Sequence, residues 1–271
     1  MIFQKKAMTR SQLHRICNLA RSKGVENDWD YDVAVKSWAI SQSSSYPIRL
    51  DLREDWWEIG DQEDTGSCVG WASTDGLMRW HMIKAKKLEP FMFLSPRFTW
   101  MASKETDEFT SRPETFIEGL GTTLKASMDV LRKFGSVPED LLPFKIQTTM
   151  YLGTDKEFYS TAARRKISAY YNLGLNLRNW RAWLYRVGPI MAGLTVDESW
   201  DNATKNGGYV DEFKPKTARG GHAIVVCGYR ADGRFIIRNS WGKDWGDQGY
   251  AYVSTEYIRA AFYSESYGIR V

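Results

Sequence analysis

From position 69 onward, apolar or small residues recur at 69, 72, 73, 76, 77 and 80, the spacing of one helical face. This predicts a helix from Cys68 to about Lys87. Leu94-Ser95-Pro96-Arg97 predicts a second helix, with Ser95 as N-cap and Pro96 at the first helical position. Thr122 or Thr123 opens a third through Leu124, Met128, Leu131 and Phe134, and Gly135 stops it. Asp155 to Lys166 reads as a short helix. Asn176 to Val187 reads as another, with Leu177, Trp180 and Leu184 in line and Gly188-Pro189 as its stop. The period then changes. Apolar runs at 190–196, 223–229, 234–238 and 249–253, separated by Gly-rich turns, read as strands. A helical first half followed by a strand-rich second half predicts an α+β protein with a cleft between two lobes. The lobes are expected at about 56–166 and 167–271.

Residues 1–46 stand apart. Thr9 to Lys23 reads as a helix with Leu13, Ile16, Cys17 and Ala20 on one face and Gly24 as its stop. Residues 25–40 carry Trp29, Tyr31, Val33, Val35, Trp38 and Ile40. Extended at about 3.3 Å per residue, they are long enough to cross a cleft. Ser41-Gln42-Ser43-Ser44-Ser45 reads as an exposed connector.

Composition narrows the function classes. The 271 residues carry a net charge of only +4 and no dense Lys/Arg run, which speaks against a nucleic-acid partner. No run approaches the roughly 18 apolar residues of a membrane span. The first residues lack a signal-peptide core, so a cytoplasmic protein is expected, or one exported without a cleaved signal. Three cysteines, Cys17, Cys68 and Cys227, do not make a disulfide framework. No His/Cys/Asp cluster has metal-ligand spacing, and neither a metal nor a cofactor is expected. His14 and His81 are read as structural.

Cys68 follows the polar stretch Gln62-Glu63-Asp64-Thr65-Gly66-Ser67 and begins the apolar helix. Free N–H groups and the positive end of the helix dipole favour a thiolate there. A thiol nucleophile also needs a base, and the base needs an orienter. His222, in Gly220-Gly221-His222-Ala223, and Asn239, in Asn239-Ser240-Trp241-Gly242, supply them in the order Cys…His…Asn. Together these motifs resemble the papain-like cysteine peptidases, from about Pro47 to the C-terminus. The sequence departs from that pattern at Thr65, where the family has a disulfide-forming cysteine, and at Val69, where it has an aromatic.

The resemblance implies a two-lobed papain-like fold and a monomer that hydrolyses peptide bonds in peptides or proteins. It implies a Cys68 thiolate–His222 imidazolium pair, with Asn239 fixing the tautomer. Gln62 and the Cys68 backbone N–H would form the oxyanion hole. Gly66, Ser67, Gly119 and Gly121 would meet substrate, and Trp241 would shield the His222–Asn239 bond. Residues 47–271 would be the peptidase domain. Residues 1–46 would be either an inhibitory segment of a zymogen, removed on activation, or a permanent arm. Two other readings stay open: a thiol acyl-transferase or amidase, and a silent binding module on the same scaffold.

Overall fold

A computed structural model describes residues 15–41, 45–106, 119–145 and 156–271. Within residues 15–41 a 3-10 turn at Val25–Asn27 precedes α1 (Tyr31–Lys36), whose N-cap Asp30 accepts from the Val33 N–H. The strand β1 (Leu50–Asp51) leads to the helical run that begins at Cys68. That run is α2 (Cys68–Gly70), a π-helical stretch at Trp71–Met78, and α3 (Arg79–Lys84). Next come α4 (Pro96–Thr106), α5 (Leu124–Lys133) and α6 (Lys156–Ala163). Ser95 Oγ accepts from the Phe98 N–H at 3.0 Å and Thr123 Oγ1 from the Ala126 N–H at 3.1 Å, so both expected caps form.

The second half holds β2 (Ala169–Asn172), α7 (Leu177–Arg186), β3 (Ile190–Val196), α8 (Glu198–Asp201) and β4 (Tyr209–Val210). It continues with β5 (Gly220–Tyr229), β6 (Phe235–Arg238), β7 (Tyr250–Val253), α9 (Thr255–Ala261) and β8 (Phe262–Arg270). The strands form one sheet in the order β2-β8-β3-β5-β6-β7-β4, with β1 also on β5. All pairings are antiparallel except β4–β7.

β5 is buried along nearly its whole length because both of its faces are covered. On one face Trp180, Trp183, Ile224 and Val226 share a core with α7. On the other, Cys68, Leu77 and Met78 of the helical run pack with Ala223 and Val225. Gly76 permits this approach, since a Cβ there would lie 2.6 Å from the Val225 side chain. A third core, with Phe98, Trp100, Val130 and Phe144, joins α4 and α5 to the loop that follows α5. A buried charge cluster spans the junction. Arg238 on β6 meets Asp75 of the helical run at 2.5 Å, and Arg79 lies 3.7 Å from the same carboxylate.

The N-terminal part differs from the sequence expectation in two ways. Residues 15–22 are not helical, because backbone groups of Leu19 and Ala20 bond across to other segments. The rest of the expected 9–23 helix, with His14 and Leu13, lies outside the described residues. Residues 25–40 are not an extended cleft-crossing stretch. They form the turn and α1, and dock beside β2 through the Trp29 carbonyl, which accepts from the Asn172 N–H at 2.7 Å. Of the connector, 42–44 also lie outside the described residues.

Candidate active site

The first residue of α2 puts the Cys68 sulfur against the sheet, where the backbone N–H groups of Ala223 and Val69 point at it. Ala223 follows His222 on β5, so the strand that receives the thiol also carries the imidazole. His222 is fully buried, and its Nε2 lies 2.7 Å from Asn239 Oδ1. The Ser240 N–H donates to the same Oδ1 at 2.8 Å, which fixes the amide orientation. Nε2 therefore carries the hydrogen and donates it to Asn239. The other ring nitrogen, Nδ1, has no hydrogen-bond partner among the described residues. It is the nitrogen free to take a proton. Trp241 lies over the ring at 4.9 Å between centroids, and Trp200 meets it edge-on at 5.8 Å.

Gln62 is buried beside this cluster. Its Oε1 accepts from Ser240 Oγ at 2.9 Å, and its Nε2 donates to the Thr65 carbonyl at 2.9 Å. Thr65 ties the same loop together: its hydroxyl lies 2.6 Å from both the Gln62 carbonyl and Ser67 Oγ. The Ser67 side chain is thus engaged within the loop. Gly66 lies against the 119–121 segment, where a Cβ would meet the Leu120 backbone at 2.7 Å.

Residues 15–20 run through the cleft between these walls. Arg15 ion-pairs with Asp61 and donates to the Trp241 carbonyl at 3.2 Å. Gln62 Nε2 lies 3.4 Å from the Ile16 carbonyl. Asn18 donates to the Gly119 carbonyl, and its own carbonyl presses on Gly121. The Leu19 N–H donates to the Gly221 carbonyl at 2.9 Å and the Ala20 N–H to the Thr122 carbonyl at 3.1 Å. The Leu19 side chain is buried against Gly193, Leu124 and Tyr263. The cleft therefore holds a peptide, and the peptide is the chain's own.

Burial sets the electrostatics of the covered site. Burial pushes the Cys68 thiol up to about 11, against the lowering effect of the neighbouring N–H groups. Burial pushes His222 down to about 4; the Asn239 hydrogen bond opposes this, while the Arg219 and Arg15 charges add to it. The covered cleft thus favours a neutral thiol and a neutral imidazole, in place of the ion pair expected from the sequence. His81 is buried against α7's far end, with Nε2 3.1 Å from the Pro189 carbonyl, and is structural as read. Cys227 lies in β5, also within the core. No group of three or more His, Cys, Asp or Glu that could hold a metal occurs among the described residues.

Sequence reasoning missed the Asp75–Arg238 pair, although Asp75 and Arg79 on an apolar helix face were a visible signal. It missed Trp200, which nothing in the local sequence marks. It also placed the cleft-crossing stretch too late in the chain.

A helical wall carrying a cysteine, set against a β-rich wall carrying a hydrogen-bonded histidine and asparagine, defines a thiol-hydrolase type of cleft. The model of the papain family cysteine proteases matches residues 46–267, and the chain belongs to that family. Cathepsin K of Mus musculus is 28% identical over 216 residues, 77% of this chain and 60% of that protein. The cathepsin B-like CP2 of Giardia intestinalis is 25% identical over 228 residues, 78% of this chain and 70% of its own. The chain thus spans a little under two thirds of cathepsin K. Among solved structures, xylellain, a cysteine protease from Xylella fastidiosa, superposes with a TM-score of 0.77 at 23% identity, covering 95% of this chain and 96% of that one. The proCathepsin B S9 of Trypanosoma congolense does so with a TM-score of 0.67 at 15% identity, over 94% and 86%. Both share the papain-like α+β fold. No helix among the described residues is long and apolar enough to cross a membrane.

Proposed function

We propose that the protein is a cysteine peptidase that hydrolyses peptide bonds, with residues 15–20 acting as an inhibitory cover. The observation that carries this reading is a non-helical peptide, residues 15–20, hydrogen-bonded to Gln62, Gly119 and Thr122 on one wall of the cleft and to Gly221 beside His222 on the other. A cleft that accepts a peptide backbone in this way favours peptide substrates over the small amides of a dedicated amidase.

With the cover displaced, solvent and the α2 N-terminus favour the thiolate, and His222 Nδ1 takes the thiol proton. The Cys68 sulfur attacks the scissile carbonyl carbon. The oxygen becomes an oxyanion held by Gln62 Nε2–H and the Cys68 backbone N–H; losing one such donor costs on the order of 100- to 1,000-fold in rate. His222 then gives its proton to the departing amine as the C–N bond breaks, leaving a thioester on Cys68. Water, losing a proton to His222, attacks the thioester and releases the acid and the thiol. Asn239 holds the Nε2 tautomer throughout, and Trp241 keeps water from that bond. The buried seat of Leu19 beside Gly193 favours a leucine-like side chain in the substrate.

The test is turnover of fluorogenic peptides bearing leucine. Cys68→Ala and His222→Ala should be near-null, Asn239→Ala reduced but measurable, and a protein starting at Tyr46 faster than full length. Activity retained in Cys68→Ala would sink the assignment. A folded Tyr46-start protein that is slower than full length would sink the inhibitory role of the cover. Failure of an epoxide probe to label Cys68 in the uncovered protein would favour a silent binding module.

A further inference from the structure

The covering segment brings its own thiol into the active site. Cys17 follows Ile16, whose carbonyl sits 3.4 Å from Gln62 Nε2, and precedes Asn18, which is bonded to Gly119. The Cys17 carbonyl presses on Gly220, two residues before His222, so position 17 is fixed above the catalytic floor. Both thiols are free. The Cys17 side chain packs beside the cluster that holds Trp200 and Trp241, the two rings flanking His222, which sets it at the catalytic end of the cleft. Cys17 Sγ packs against the Trp200–Trp241 core and makes one weak hydrogen-bond contact among the described residues, 3.7 Å to the Arg15 carbonyl, so it can turn without losing a strong hydrogen bond. The third cysteine, Cys227, sits in β5 against the Ile236 carbonyl at 3.5 Å and provides an internal control.

We propose that Cys17 and Cys68 form a reversible disulfide that fastens the cover across the nucleophile under oxidising conditions. The inference rests on the reading of Cys68 as nucleophile and of residues 15–20 as its cover. The oxidant is a small disulfide such as oxidised glutathione. In a transient opening, the Cys68 thiolate attacks one glutathione sulfur, and the departing glutathione thiolate takes up a proton. The Cys17 thiolate then attacks the Cys68 sulfur of the mixed disulfide and displaces the second glutathione, which is likewise protonated. Two protein thiols lose two electrons and two protons, and one glutathione disulfide becomes two glutathiones. Excess thiol reverses both steps. Reduction restores a cover held without a covalent bond, by hydrogen bonds, the Arg15–Asp61 pair and the buried Leu19, so reductant becomes the first signal for activation.

Full-length protein should be equilibrated in glutathione buffers of stepped redox ratio, quenched with iodoacetamide and digested. The expected result is a Cys17–Cys68 cross-linked peptide, loss of alkylation at those two cysteines only, and at least a tenfold fall in peptide turnover that dithiothreitol reverses. Cys17→Ser and Cys17→Ala should form only glutathione adducts, and Cys227→Ser should still cross-link. The proposal is overturned if no cross-link forms in excess oxidised glutathione while circular dichroism shows a native fold. It is equally overturned if the two Cys17 variants lose and regain activity over the same redox range as wild type. The peptide readout needs no turnover, so a failed cross-link is distinguishable from a failed peptidase reading, which the Cys68→Ala assay decides.

Discussion

Removing the cover should change the chemistry of Cys68 more than its position. In the covered cleft the thiol is pushed up to about 11, so at pH 7 only about one molecule in 10⁴ carries the thiolate. Once solvent and the α2 N-terminus act on it, a thiol poised at or below neutrality is at least half ionised. Thiolate reactivity falls as its pKa falls, by about half an order of magnitude per unit, which takes back about two decades over four units. A net gain of about 100-fold in alkylation at pH 7 remains. The assay is the rate of iodoacetamide modification at Cys68, followed by mass spectrometry of its peptide, in full-length protein and in protein starting at Tyr46. The full-length rate should rise about tenfold per pH unit between 7 and 10, because each unit deprotonates ten times more of a high-pKa thiol. The uncovered rate should be nearly flat over that range. Equal rates with the same pH profile in two folded proteins would refute the argument that the cover silences the thiol by desolvation.

Four further outcomes follow from the geometry. Buried His81 is pushed down to about 4 from an ordinary value near 6.5; the unfolded chain takes up its proton first, so stability should fall by about 3 kcal/mol between pH 6.5 and 4. His81→Gln should reduce that fall by about this amount in the urea-denaturation pH profile, leaving the share of the similarly buried His222 in place, and an unchanged slope would refute it. Asp75→Ala strands Arg238 and Arg79 in the core and should cost about 3–5 kcal/mol, read from the denaturation midpoint, whereas a cost under 1 kcal/mol would show that the pair is dispensable. Gly193→Val places a branched side chain where the Leu19 methyl already lies 2.8 Å from a would-be Cβ, so it should raise KM for leucine-bearing peptides and weaken the cover, with smaller residues at that position tolerated. Thr65→Val removes the hydroxyl that joins Gln62 and Ser67 and should lower kcat more than KM, with Thr65→Ser restoring it.

Much of the fold could be read from local pattern. The caps at Ser95 and Thr123, the Cys68 helix and the strands at 190–196 and 223–229 follow from spacing and turn chemistry, and the structure has them. β8 could not be read, because Ser264, Glu265 and Ser266 break its apolar run, and Glu265 and Ser266 are buried only by tertiary neighbours. β2 is four residues long and owes its existence to pairing with β8. The 15–22 segment misled for a related reason. Leu13, Ile16, Cys17 and Ala20 have helical spacing, yet the walls of the cleft offer the backbone carbonyl and N–H partners that an isolated helix would have to supply itself, and Leu19 gains a buried seat. Local periodicity lost to long-range pairing. The candidate site was legible as a set of residue types, since the three motifs are local. Its charge state was not, because that depends on what lies over it.

The hydroxyl clasp at Thr65 has a consequence for where such an enzyme can work. Its relatives' pattern closes this loop with sulfur, which makes the oxyanion geometry hostage to the surrounding redox poise. Here the loop is closed by oxygen, through contacts of 2.6 Å that no thiol can exchange into. A strongly reducing medium therefore leaves the catalytic frame intact. A response of this protein to reductant has to enter through its thiols, Cys68 and the Cys17 that covers it, and not through the loop that frames the oxyanion site.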